Sequence, residues 1–179
     1  MQDHEIKIIA VAIIIAAGIL LRRLLKPKAR ILRHKRKQEQ ARRVLEKINT
    51  IPLMPQRLAY LRKIDPLTFE ELLLEGFERR GHRVVRNTHY SGDGGIDGSV
   101  QIDGETHLLQ AKRYAKHINR QHIADFSALI AARNCKGIFI HTGRTGAGAK
   151  DLVLQDHRLT ILSGQKLLNF LNSETFIKD

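Results

Sequence analysis

The dipeptide Asp103-Gly104 constrains this chain more than any other pair of residues. Asp-Gly between apolar runs is the strongest short-range signal for a two-residue hairpin loop, because both loop positions need positive φ. Before it stands GGIDGSVQI and after it ETHLLQAKRY. A two-residue loop sets Ile102 opposite Glu105, and the same register carried outward sets Asp97 opposite Gln110. Opposed residues of an antiparallel pair share a face. Lys112, two residues beyond Gln110 on the same strand, joins them. One turn therefore predicts a cluster of Asp97, Gln110 and Lys112.

These three side chains have a chemistry in common. An aspartate offers a hard oxygen to Mg²⁺ (or Mn²⁺), and Mg²⁺ takes one or two carboxylates and keeps several waters. The Gln110 side-chain carbonyl is a further, uncharged oxygen, and the main-chain carbonyl of Ala111 lies beside it. A cationic Lys112 can stand next to an attacking water, lower its pKa and steady the charge of a phosphorane. Metal plus lysine at a scissile phosphate is the equipment of phosphodiester hydrolysis. Ahead of the strand, Gly92, Gly94, Gly95 and Gly98 admit positive φ and let a nucleic-acid backbone come close. Their other use is a flexible strand connection. Asp93 between them suits a turn better than a metal ligand.

Charge divides the chain into regions. Residues 22–63 hold fifteen Lys and Arg against two acids, whereas residues 64–179 hold fifteen against fourteen. The net charge of +13 thus belongs to one segment, and does not by itself make the rest a nucleic-acid binder. Ahead of that segment, residues 8–21 form a fourteen-residue run without a polar side chain. With Ile6, the stem of Lys7, Leu24 and Leu25 it reaches about the 20 residues of a bilayer span. A secretory signal has its basic residues before the apolar run; here Asp3, His4 and Glu5 precede it and Arg22, Arg23, Lys26 and Lys28 follow. A core helix would also show a polar face. Residues 1–25 are therefore expected to be a membrane anchor touching lipid through residues 6–25. Its N-terminus would be outside and the rest in the cytoplasm, by the positive-inside rule. Residues 26–64 read as a basic juxtamembrane helix or linker, ended by Pro52 and Pro55. Its apolar positions Ile31, Leu32, Val44, Leu45 and Ile48 look too few for a core. The segment suits anionic lipid, at about 1 kcal/mol per basic residue, or DNA backbone.

Residues 65–179 are expected to fold as one domain; 42% hydrophobic content supplies its core. Asp65 or Thr68 caps a helix running to Gly81. Strands are expected at 82–88, 96–102, 105–114, 136–142 and 159–162, and helices at 119–133, 149–157 and 165–171. The order αβββαβαβα implies an α/β fold with a mixed sheet flanked by helices. The single cysteine, Cys135, excludes a disulfide framework or a cysteine zinc cluster within one chain.

GDGGIDG followed by QAKRY resembles the Mrr-type restriction endonuclease catalytic domain, a branch of the PD-(D/E)xK nuclease superfamily. The resemblance covers about 65–171 and includes TFEELL, KGIFIHTG and the glycine loop after it. It implies a restriction-endonuclease-like αβββαβ core. It also implies that Asp97 and Gln110 bind the metal, Gln110 matching the variant with Gln in place of Glu, and that Lys112 is catalytic. A glutamate on the preceding helix often joins such sites: Glu70, with Glu71 as the alternative. Around the site, Gly94, Gly95, Arg113 and Arg144 are candidates for DNA contact.

Other motifs point elsewhere less well. GRTGAGAK lacks the Gly-Lys-Ser/Thr ending of a phosphate-binding loop, which excludes nucleotide hydrolysis. His117 and His122 have no third zinc ligand in view, and His141 suits a strand-end role. The expectation is a membrane-anchored, Mg²⁺-dependent DNA endonuclease of the cytoplasmic membrane, acting in restriction of foreign or modified DNA. The alternative is a catalytically inactive DNA-binding module on the same tether; a membrane scaffold is a more distant one. One such site cuts one strand, so a homodimer is a possible assembly.

Overall fold

The computed structural model describes residues 2–87 and 95–172. The chain divides into two units, 1–37 and 38–179. In the first unit, part of the long helix α1 (Gln2–Asn49), residues His4–Arg22 are long and apolar enough to cross a membrane. Their mean hydropathy is 2.2 and none of this stretch is buried.

The second unit is built on a five-stranded sheet: β1 (Arg83–Arg86), β2 (Gly98–Ile102), β3 (Glu105–Lys112), β4 (Lys136–His141) and β5 (Leu159–Ser163). They lie in sequence order across the sheet. β1, β2 and β3 are antiparallel, and β3, β4 and β5 are parallel. Asp103 and Gly104 have φ of 52° and 79°, the two positive values of a type I′ turn. Ile102 faces Glu105, and the expected register runs without a slip to Gly98↔Leu109.

Helices cover both faces. On one lie the end of α1, α2 (Met54–Lys63), α3 (Pro66–Glu78) and α6 (Gly164–Phe170), around Leu45, Phe69, Leu72, Leu109 and Ile140. On the other lie α4 (Arg120–Ala132) and α5 (Ala147–Gln155), around Ile123, Phe126, Ile130 and Phe139. Asp65, rather than Thr68, caps α3: its carboxylate accepts from Thr68 N at 3.1 Å, and Pro66 occupies the first turn, where its missing N–H costs nothing. Asn119 caps α4 by accepting from Gln121 N at 2.9 Å. The mixed sheet with helices on both faces is as the sequence predicts; element ends move by a few residues.

The segment between the apolar run and residue 65 departs from expectation. Ala41, Val44, Leu45 and Ile48 are all buried in the domain core. They fall at i, i+3, i+4 and i+7, a complete apolar stripe of a helix; counting Ala41 as apolar would have completed it. Pro55 does not end the segment but sits in the first turn of α2, whose Leu58 and Leu61 join the same core. The folded unit therefore begins at Gln38, inside the stretch expected to be a linker. Arg42, on this stretch, pairs with the buried Glu75 of α3 at 3.3 Å.

Candidate active site

The β2–β3 ladder ends at Gly98, and the expected Asp97–Gln110 pair is not a rung of it. Asp97 N donates to Leu109 O at 2.9 Å, one residue out of step with the register. A Cβ on Gly98 would meet Leu74 Cδ2 at 2.8 Å and the Val85 carbonyl at 3.1 Å, so Gly98 points at α3. Ile96, two residues earlier, packs in the opposite core, where strict alternation would put both on one face. This slip turns the Asp97 carboxylate onto the main chain of β3: Oδ2 accepts from Ala111 N at 2.6 Å. Asp97 thus reaches the peptide between Gln110 and Ala111 by a different route from the one the register predicts.

Gln110 is buried and its Nε2 donates to Gly95 O at 2.8 Å. Its other amide atom, Oε1, is buried with no hydrogen-bond partner. Buried polar groups are nearly always satisfied, so this oxygen is available to a further partner. Gly95 makes the arrangement possible: its φ is +83°, and a Cβ there would run into Gln110 Nε2. We predict that Gly95→Ala lowers any cleavage activity about tenfold, because the left-handed backbone costs about 1–2 kcal/mol and the methyl dislodges Gln110. Gly104→Ala is the control, since Gly104 has φ +79° with nothing within 4 Å. It should lose similar stability in a thermal melt and keep the activity. Equal activities for the two variants would rule the Gln110 contact out.

Two carboxylates of the candidate set are electrostatically unsettled. Burial pushes Asp97 up to about 6, against the Ala111 N–H and the charge of Lys112. Burial, then the charge of Asp97, pushes Glu70 up to about 8, against Lys112. Glu70, Asp97 and Lys112 therefore stand within reach of one another's fields. Glu71, the alternative to Glu70, is instead buried against Arg86 at 3.0 Å. Among the described residues no three His, Cys, Asp or Glu side chains form a metal cage. Two carboxylates plus the amide oxygen of Gln110 nevertheless suit Mg²⁺, which keeps most of its shell as water.

The other candidates divide. Gly94 and Asp93 lie outside the described residues. Arg144 is exposed. Arg113 turns inward: its Nη1 donates to Arg62 O at 3.2 Å and also to Ile64 O, which ties the end of α2 to β3. That is a fastening role, different from the DNA contact expected of it. His141 is fully buried, bonded to Thr145 Oγ1 at 3.1 Å, and burial lowers it to about 4.

Sequence reasoning missed two supports. The Thr142 hydroxyl accepts from Tyr114 N at 3.1 Å and donates to Tyr114 O at 3.0 Å, fixing the chain just past Lys112. Asn87 holds the Ile96 carbonyl next to Asp97. Neither has a signature in the sequence, because each depends on a contact across the fold.

Asp97, Gln110 and Lys112 thus stand at one end of the mixed sheet of an α/β domain. The family model of the Mrr-type restriction endonuclease catalytic domain matches residues 61–171, and the chain belongs to that family. Over 122 residues it is 29% identical to the Type IV methyl-directed restriction enzyme EcoKMrr of Escherichia coli (strain K12), covering 64% of this chain. It spans 40% of that relative's length. Among solved structures it is similar to the DNA modification-dependent restriction endonuclease AspBHI, with a TM-score of 0.44 and 20% identity, over 76% of this chain and 36% of the other.

Proposed function

We propose that this protein is a membrane-anchored, divalent-metal-dependent DNA endonuclease whose catalytic domain lies in the cytoplasm and acts on foreign or modified DNA. The buried, unpartnered Oε1 of Gln110 carries the reading. Support comes also from Asp97 and Glu70, two carboxylates that burial holds toward their protonated forms. Oxygens in that condition suit a cation. Asp97, Gln110 and Glu70 would hold Mg²⁺ or Mn²⁺. When bound, the ion would polarise the scissile phosphate and acidify a water.

The protein groups do the rest. The Ala111 N–H and the Gly95 carbonyl fix the rotamers of Asp97 and Gln110, so both oxygens are preorganised. The Lys112 ammonium donates to the attacking water and to the phosphoryl oxygens as their charge grows. A second copy of the chain would supply the cut on the opposite strand. The apolar helix His4–Arg22 and the cations that follow it support the tether and its orientation.

The test uses the full chain in detergent on supercoiled plasmid, methylated and unmethylated, with Mg²⁺, Mn²⁺ or EDTA. Nicked or linear product with metal and none with EDTA is the expected result. Binding without product under every metal would favour the second reading, a DNA-binding module, to which the uncharged Gln110 lends support. Recovery of the intact chain from cells in the soluble fraction would overturn the tether.

A further inference from the structure

β3 and β4 are parallel and end side by side at the Lys112↔His141 pair. The segments that follow them leave the sheet at the edge where Asp97 and Lys112 stand. They are 115–122 (AKHINRQH) and 143–150 (GRTGAGAK), and neither contains an acid. Of the fifteen Lys and Arg in residues 64–179, four lie in these sixteen positions, with none of the fourteen acids. In a domain whose charges otherwise nearly cancel, that is a concentrated positive patch.

The two segments form one rigid unit. Arg144 N donates to Lys116 O at 3.0 Å, and Ile118 N donates to Arg144 O at 3.1 Å. Gly143 is pressed against its neighbour so closely that a Cβ would strike the Lys116 carbonyl and, at 2.6 Å, Tyr114 Cβ. Arg120 Nε donates to Gly148 O at 3.3 Å. Beneath them a polar chain runs from His141 Nε2 to Thr145 Oγ1 (3.1 Å) and on to Ser163 Oγ (3.3 Å). The backbone is thus pinned from several sides, while Lys116, His117, Arg120, Arg144 and Lys150 are exposed. Rigid backbone with exposed cations is what phosphate contact needs: positioning comes from such contacts, and they carry no base information.

We propose that this double loop is the cradle for the DNA backbone beside the cut, with Lys116, Arg120, Arg144 and Lys150 on successive phosphates. The proposal rests on the nuclease reading for its choice of DNA over anionic lipid, because the patch shares its sheet edge with Lys112. It places the DNA grip on the catalytic domain itself, apart from the basic segment 22–63.

The test measures binding of a duplex of about 30 base pairs by fluorescence anisotropy across a KCl series, using the full chain in detergent with Asp97→Asn to keep DNA uncut. Lys116→Ala, Arg144→Ala and Lys150→Ala are combined in one variant. Arg133→Ala, Lys136→Ala and Arg158→Ala are combined in another, as an equal loss of charge near the opposite ends of β4 and β5. The cradle variant should bind about tenfold more weakly near 0.1 M salt, and its log–log salt slope should be shallower by about 2–3. The control should keep the slope. Equal slopes in both variants, or loss of binding to phosphatidylglycerol vesicles with the DNA slope intact, would overturn the cradle. If the unmutated chain cuts DNA while the slope is unmoved, the cradle fails alone. If it cuts nothing yet the slope falls, the cradle stands and the nuclease reading fails.

Discussion

Replacing Lys112 with alanine is expected to slow DNA cleavage about 10³-fold or more and to leave affinity for uncut duplex within about threefold. The size follows from what the ammonium does. Among the described residues it is the cation whose charge acts on both Asp97 and Glu70. Asp97→Asn should be as severe, although the amide oxygen can still accept from Ala111 N and keep the local fold. Its loss would come from the missing charge at the metal. The glutamates of α3 then separate function from architecture. Glu70→Gln should slow cleavage without lowering the melting temperature. Glu71→Gln should do the reverse, since it weakens a buried pair with Arg86, whose other partner is Glu78 at 2.6 Å. Measuring cleavage under single-turnover conditions beside a thermal melt decides the matter. Full activity in Lys112→Ala, or a larger activity loss in Glu71→Gln than in Glu70→Gln, would overturn the assignment.

Much of this architecture is legible in the residue order, and the reasons are local. The Asp103-Gly104 turn needs two positive φ angles and fixes a register with them, so β2 and β3 follow from one dipeptide. KGIFIHT is a near-continuous apolar run, which suits the central parallel strand it becomes, flanked on both sides. What the register cannot show is where a strand stops obeying it. Gly98 breaks the alternation because Leu74 and the Val85 carbonyl crowd its α-carbon, and those contacts come from α3 and β1. Glu70 and Glu71 are not told apart by residue order for the same reason: adjacent residues on a helix differ by 100° in direction, and Arg86 on β1 pairs with Glu71. The stripe Ala41, Val44, Leu45 and Ile48 was legible in principle. It was hidden by the charge around it, since a helix with Lys and Arg on its outer faces reads as wholly basic until its period is counted.

The carboxylates also predict how metal, pH and stability are linked. Asp97 and Glu70 hold their protons to about 6 and 8 in the folded protein, above their ordinary 3.8 and 4.5. The folded state therefore binds more protons than the unfolded state between about pH 4 and 8, and stability must fall as pH rises through that window. A divalent ion bound as proposed would replace those protons and remove the repulsion between the two carboxylates. Mg²⁺ should then raise the melting temperature clearly at pH 8 and hardly at pH 5.5. At a concentration 100 times its Kd the gain is about 2.7 kcal/mol, or roughly 5–10 °C for a chain of this size. Binding at neutral pH should release protons into a weakly buffered solution. His141 titrates in the opposite sense: burial lowers it to about 4, so its contribution to stability is lost as pH falls below its ordinary value of 6.5. Comparison with Glu70→Gln cancels that background, because His141 is unchanged between the two proteins. The difference in melting temperature between the variant and the parent should grow from pH 5 to pH 8 without metal, with the variant the more stable, and should shrink or reverse when Mg²⁺ is added. An Mg²⁺ effect of equal size at both pH values, or one that survives in the double variant Glu70→Gln and Asp97→Asn, would mean that the cation binds elsewhere and that the orphaned oxygen of Gln110 has another partner.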